Sequence, residues 1–158
     1  MNLNNINEYL EYKDGGVYWK KSKGSRGVKG NRFGSFDGRY RHGMFEGKML
    51  REHQLVWFLH HGVFPLMLDH IDGDCLNNRI ENLREVTSSQ NGMNAKIRKD
   101  NKTGCKGVFF SKEKGKYRVE LVVNKQKKSF GYFEDEELAC LVAEEARDKY
   151  HGKFARSI

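Results

Sequence analysis

Apolar and polar positions change rhythm several times along the chain, and each change marks an element. Residues 14–50 alternate Val, Tyr, Trp, Phe and Met with polar residues in short glycine-broken stretches: GGVYWKK, GNRFGSF, DGRYRHGMF and EGKML. Alternation cut by Asp-Gly and Glu-Gly predicts hairpins of a small antiparallel sheet. The rhythm turns helical in REHQLVWFLHH, residues 51–61. There Leu55, Val56 and Leu59 share a side, and Gly62 ends the run. Pro65, the single proline, opens a new segment, LMLDHIDGDCLNNRIENLREV, in which a short apolar stretch gives way to a long polar loop. Ser88 or Ser89 can cap a further helix that reaches about Lys99. Asn101 and Gly104 are stop signals, and the stretch between them reads as a linker.

Beyond it, KGVFFS, KYRVELVV and KKSFGYF predict three strands, with turns at KEKGK and NKQ. EDEELACLVAEEARDKYHG then predicts an amphipathic helix that begins with acids and carries Leu138, Leu141, Val142, Ala146 and Tyr150 on one side. The expected fold class is α+β. Residues 1–101 form one expected domain, divided into an N-terminal β region (1–50) and a core (51–101). Residues 102–158 form a second domain of three strands and a helix. No internal repeat or low-complexity tract is present.

Composition narrows the function. The chain of 158 residues is 37% apolar and 32% charged, which permits a packed core but not a large single one. No apolar run approaches the length of a membrane span, and the N-terminal MNLNNINEYLEY lacks the character of a signal peptide. Cys75, Cys105 and Cys140 are odd in number, far apart and without a C-x-x-C pair. They argue against a disulfide framework and a structural zinc site, and they fit a reducing cytoplasm. Charge is blocked: residues 12–51 carry 11 Lys/Arg against 3 Asp/Glu, and residues 94–131 carry 12 against 3. Between them, residues 52–93 carry 2 against 6. Basic flanks suit a polyanion, and an acidic centre between them calls for a cation. Solvated charged faces on an ordinary soluble protein are the plain alternative.

The chemistry concentrates in residues 69–91. Asp69 and His70 are adjacent, Asn82 follows, and Asn91 comes after that. A histidine can take a proton from water near neutral pH, and a carboxylate with an amide oxygen suits a hard divalent cation. Neighbours on a strand point to opposite faces, so a bend after Asp69 is expected if both serve one site. Singly, these residues could be turn and loop formers, with Asp72-Gly73 as the turn and Asn77, Asn78 and Asn82 in the loop. As an ordered set, LDHIDGDCLNNRIENLREVTSSQN preceded by REHQLVWFL resembles the HNH nucleases of phage and intron homing type. In these, a helix carrying H-x-L-V precedes D-H-I-D-G-x, N-N, N-L-R and a final N. The resemblance implies a ββα-metal finger whose catalytic set is Asp69, His70, Asn82 and Asn91. His70 would be the general base, Asp69 and Asn91 the metal ligands, and Asn82 a brace for the loop. Asn91 stands where the motif's name has its last histidine, which favours Mg²⁺ or Mn²⁺ over zinc. His53 matches the upstream histidine and is expected to pack or hydrogen-bond, and His60 and His61 to sit at a helix end.

Residues 104–155 resemble the Apetala-type DNA-binding domain of plant ethylene-response factors, through G-C-K-G-V-F-F, K-Y-R-V-E-L, K-K-S-F-G-Y-F, E-E-L-A and Y-H-G-K-F-A. Tyr117 stands where a tryptophan is often found, so no target sequence carries over. The resemblance implies duplex contacts from an exposed sheet face, for which Lys116, Arg118, Lys125, Lys127 and Lys128 are suitable. The preceding basic stretch adds Lys96, Arg98 and Lys99. Lysines neutralise phosphates, whereas Arg118 has the geometry to read guanine. The expected activity is metal-dependent cleavage of double-stranded DNA, by nicking or double-strand scission, in a phage host's cytoplasm. No membrane and no small-molecule cofactor are expected, and the oligomeric state is open. The rivals are a non-catalytic DNA-binding regulator that keeps the finger as a scaffold, and a protein acting on RNA.

Overall fold

The structure is a computed structural model that describes residues 5–155. Residues 1–4 and 156–158, the outer ends of the two expected domains, lie outside the described residues. The chain is α+β and forms two compact units, Met1–Val86 and Thr87–Ile158. No helix among the described residues is long and apolar enough to cross a membrane.

In the first unit a short helix α1 (Ile6–Tyr9) leads into a hairpin of β1 (Leu10–Lys13) and β2 (Gly16–Trp19). Three further strands, β3 (Ser35–Phe36), β4 (Arg41–Phe45) and β5 (Lys48–Arg51), form an antiparallel sheet in sequence order. The glycine-broken alternation of residues 14–50 thus becomes two small antiparallel sheets. Helix α2 (Glu52–His61) follows β5 directly. Its first turn is tied by Gln54, whose Oε1 accepts from the Arg51 backbone N–H. Gly62 ends it in the left-handed conformation (φ 75°) that glycine adopts without strain, bonding back to the Phe58 carbonyl. Strands β6 (Leu68–His70) and β7 (Leu83–Glu85) pair antiparallel around a long loop that ends in a 3₁₀ turn, Ile80–Asn82. The core gathers Ile6, Leu10, Val17, Trp19, Phe33 and Phe45 with Leu55 and Val56 of α2 and Leu83 of β7. The N-terminal fifty residues, to which the sequence assigned no role, supply most of this core.

In the second unit α3 (Ser88–Met93) is capped by Thr87 rather than by either serine. Thr87 Oγ1 accepts from Gln90 N–H while Gln90 Oε1 accepts from Thr87 N–H, a reciprocal capping box. The helix stops at Met93, short of Lys99, so the basic residues beyond it are loop. Strands β8 (Val108–Ser111), β9 (Lys116–Val123) and β10 (Gln126–Phe133) form a meander in the order β10-β9-β8. The β9–β10 turn uses Asn124 and Lys125 at positive φ, the conformation that right-twisted two-residue hairpins require. Helix α4 (Glu136–His151) starts at Asp135, whose carboxylate accepts from Leu138 N–H.

Two expectations for this unit are overturned. The buried side of α4 is Ala139, Ala143 and Ala146; of the expected side Ala146 and Val142 pack inward, whereas Leu138 and Leu141 are exposed. Small side chains let the helix lie close on Val108 and Val119, and the stripe that makes contact is offset from the leucines. Cys105 and Cys140 are joined as a disulfide, with Cα atoms 5.6 Å apart. Their separation of 35 in sequence concealed a proximity that the packing of α4 on the sheet creates.

Candidate functional site

Strand β6 carries both Asp69 and His70, and both are buried. They take their partners from different elements. Asp69 lies opposite Arg84 of β7, and its Oδ2 accepts from Arg84 Nη2 at 2.7 Å and Nε at 3.0 Å. His70 closes β6 opposite Leu83 and bonds through Nε2 to Asn78 Oδ1 at 2.9 Å.

Asn82 sits where the 3₁₀ turn joins β7 and ties the loop to itself. Its Oδ1 accepts from the Asp72 backbone N–H, and its Nδ2 donates to Asp72 Oδ1 and to the Asn77 carbonyl. The Asn82 carbonyl accepts from Ile71 N–H just after β6. These are the bonds of a brace, and they close the loop that begins beside His70. Burial pushes the Asp72 carboxyl up, but bonds from Asn77, the Asp74 backbone and Asn82 outweigh it and hold it below the usual carboxylate range.

Three residues that the motif reading did not single out complete the surroundings of His70. Asn78 donates through Nδ2 to Glu52 Oε2 at 2.9 Å. Glu52, the first residue of α2, has no exposed surface. Its Oε1 accepts from Arg32 Nε at 2.7 Å and from Val17 N–H at 3.1 Å, and its Oε2 from Arg32 Nη2 at 2.8 Å. The hydrogen bond to Glu52 holds Arg32 above the ordinary arginine range. In the sequence Glu52 looks like a first-turn acid of a helix, and Arg32 is one of several cations in a glycine-rich stretch. Asn78 could have been found as the second residue of N-N.

His53 packs its ring edge-on to that of His70, at 5.2 Å and 79°, and lies against Tyr40 on another side at 5.3 Å. Burial, with His70 and Arg51 nearby, pushes it down to about 3, so it stays neutral at ordinary pH. It is a packing histidine, as expected. His60, at the end of α2, bonds to the Val56 carbonyl and packs edge-on to Tyr12.

Asn91 lies on α3 in the second unit and is exposed. Among the described residues no group of three or more His, Cys, Asp and Glu is placed to hold a metal ion. Asp69 and Asn91 belong to different units, and each offers a hard oxygen of the kind Mg²⁺ or Mn²⁺ takes.

The outward face of β9 presents Lys116, Arg118 and Glu120, with Phe109 opposite Arg118 on β8 and Tyr132 opposite it on β10. Arg118 lies over the Phe109 ring at 5.9 Å, and both it and Lys127 reach Glu120 at 3.4 Å. Lys116 pairs with Glu134. Lys128 departs from the expected face: it lies opposite Leu121 and donates to the Tyr150 hydroxyl of α4. Lys125 is exposed in its turn, and Lys96, Arg98 and Lys99 in the loop after α3. A groove of about 850 Å³ in this unit is lined by Lys96, Arg98, Lys102, Phe109, Phe110 and Lys125 among others.

With this geometry in place, comparison with known proteins assigns the segment around His70. A family model described as HNH endonuclease matches residues 51–93, which run from just before α2 through β6, the braced loop and β7 to the end of α3. Protein 3.8 of Escherichia phage T7 is 33% identical over 111 residues, 69% of this chain and 91% of that protein. The chain belongs to the family of phage T7 Protein 3.8. Within it, residues 51–93 form an HNH endonuclease domain. No solved structure matches the chain. The phage relationship agrees with the resemblance seen in the motif.

Proposed function

We propose that this protein is a metal-dependent DNA endonuclease that hydrolyses phosphodiester bonds in double-stranded DNA with His70 as general base. One observation carries this reading: within the HNH-matched segment, His70 is buried at the end of β6 with its Nε2 bonded to Asn78. Since Asn78 Oδ1 accepts, Nε2 carries the proton and the lone pair of the neutral ring sits on Nδ1. Nδ1 is then the atom that takes a proton from the attacking water. Asn82 holds the loop that follows His70, and Asp69 and Asn91 would hold Mg²⁺ or Mn²⁺. When bound, that cation supplies charge neutralisation at the scissile phosphate and its leaving oxygen. The second unit docks the duplex through Arg118, Lys116, Lys125 and Lys127, in the manner of the Apetala-type domain it resembles, with Lys96, Arg98 and Lys99 from the preceding loop, while Lys128 stays on the helix side with Tyr150. The site of action is the cytoplasm of a bacterial host, and the biological role is that of a homing endonuclease.

The Asp69–Arg84 ion pair favours a second reading, a DNA-binding regulator that keeps the finger as a scaffold, because a guanidinium already neutralises the carboxylate. One experiment separates the two. Supercoiled plasmid is incubated with wild-type protein and with His70→Ala, in Mg²⁺ or Mn²⁺ and in excess EDTA. The nuclease relaxes or linearises plasmid only with metal, and His70→Ala loses about a hundred- to ten-thousand-fold in rate while keeping its affinity in gel shifts. Cleavage in EDTA, or equal rates for variant and wild type, would overturn the assignment.

A further inference from the structure

We infer that Glu52, clamped by Arg32 and acting through Asn78, is the positioning residue that sets which nitrogen of His70 carries the proton. Its catalytic consequence rests on the nuclease reading above, but its geometry does not.

The inference follows from what each group is able to do. An ionised carboxylate only accepts hydrogen bonds. Glu52 Oε2 therefore forces Asn78 to turn its NH₂ toward α2, at 2.9 Å, and its carbonyl oxygen toward His70. That oxygen also only accepts, so the imidazole nitrogen facing it at 2.9 Å must donate, and that nitrogen is Nε2. An isolated Asn78 could flip its amide and impose the opposite tautomer at little cost. The carboxylate removes this freedom, and it cannot itself rotate. Arg32 grips both oxygens through Nε and Nη2, and Val17 N–H of β2 holds Oε1.

Burial makes the arrangement decisive. Glu52 is 0%, Asn78 1% and His70 6% exposed. Solvent does not compete for these atoms, and a wrong amide orientation would set two donors or two acceptors face to face. An ion pair that buries its carboxylate is a poor source of stability compared with apolar packing, even with the Arg32 side chain 37% exposed. What Arg32 and Glu52 supply here, and apolar groups could not, is a direction of hydrogen bonding transmitted to the ring. His70 is also held in orientation by His53, whose ring packs edge-on against it.

The test uses the full-length protein in Mg²⁺ and reads the His70 tautomer by ¹⁵N–¹H correlation of the imidazole, together with kcat and KM for plasmid nicking. Wild-type His70 is expected as the Nε2–H tautomer. Asn78→Ala removes the acceptor, so a tautomer mixture is expected, with kcat down on the order of 10- to 100-fold and KM for DNA within about twofold. Glu52→Gln should loosen the tautomer less, because an amide offers Asn78 and Arg32 one oxygen in place of two. Thermal melts establish that each variant is folded, and the wild-type spectrum is decisive even if a variant is not. An Nδ1–H tautomer in the wild type overturns the inference, as does an Asn78→Ala protein with wild-type tautomer and kcat. A wild type that shows the Nε2–H form, loses it in Asn78→Ala and yet cuts no DNA supports the positioning and sinks the nuclease reading instead.

Discussion

Large rings fill the first unit: Trp19 stacks on Phe45 at 6.0 Å and leans on Phe33 at 5.7 Å, with Leu and Ile around them. The second unit closes on small residues, Ala139 and Ala143 against Val108 and Val119, and carries most of its charge on the outside, with Arg147 of α4 the buried exception. The two also treat polar atoms in opposite ways. The first draws Glu52, Asn78 and His70 inside and satisfies them there. The second leaves Lys116, Arg118 and Lys127 on a solvated face in loose pairs with Glu134 and Glu120. Orienting a base requires fixed dipoles in a dry setting, because water would average them away. Docking a polyanion requires cations that can exchange counterions for phosphates. On the proposed reading, each unit answers one of these needs.

Removing the buried charge should break this contrast most strongly. Glu52→Ala strands the buried Val17 N–H and Asn78 amide while Arg32 turns to solvent, and should destabilise the first unit by about 2–5 kcal/mol in urea titrations. A loss below about 1 kcal/mol would show that water replaces the carboxylate. The second unit should instead depend on its cross-link. Cys105→Ser, or reduction, opens a 35-residue loop and should cost about 2–4 kcal/mol in that unit alone. An unchanged melting profile after reduction would show that the bond contributes nothing.

The alanine seam sharpens the comparison further. Ala143→Leu overpacks the α4–sheet contact and should cost about 1–3 kcal/mol, whereas the exposed Leu141 should accept Ser within about 0.5 kcal/mol. Equal effects would mean that α4 rotates to bury its leucines.

The smallest effect concerns pH. His53 titrates near 6.5 when unfolded and about 3 when folded. Between those values the unfolded chain binds the extra proton, so stability falls as pH falls and the loss ends near pH 3. From pH 6 to 5 this amounts to about 1 kcal/mol, and it should vanish in His53→Phe once other groups are subtracted. A wild-type slope retained in that variant would assign the effect to another group.

Local chemistry was the legible part of this molecule. Helix α2 begins and ends where its apolar spacing and Gly62 place it, and the strands of the second unit match their alternating runs. Asn82, singled out in the motif, bonds to Asp72 and Asn77 within its own loop. Properties that depend on what packs against what were hidden. The hydrophobic side of α4 can be read from periodicity, but the sheet needs close approach and selects alanines over leucines. Thr87 outcompetes Ser88 and Ser89 because only it has Gln90 three residues on to answer it. Arg32 and Glu52 are 20 residues apart, and no local rule joins them.

That separation has a consequence for when the protein becomes active. The brace around Asn82 joins residues no more than eleven apart and can close as soon as its own loop exists. The clamp on Glu52 draws on Val17, Arg32 and Asn78, spread over more than sixty positions. A nascent or clipped chain can therefore hold every residue of the HNH motif, loop closed, and still lack a fixed orientation at His70. On the proposed reading, cutting waits on the docking of the N-terminal hairpins, and the clamp would keep half-made molecules idle.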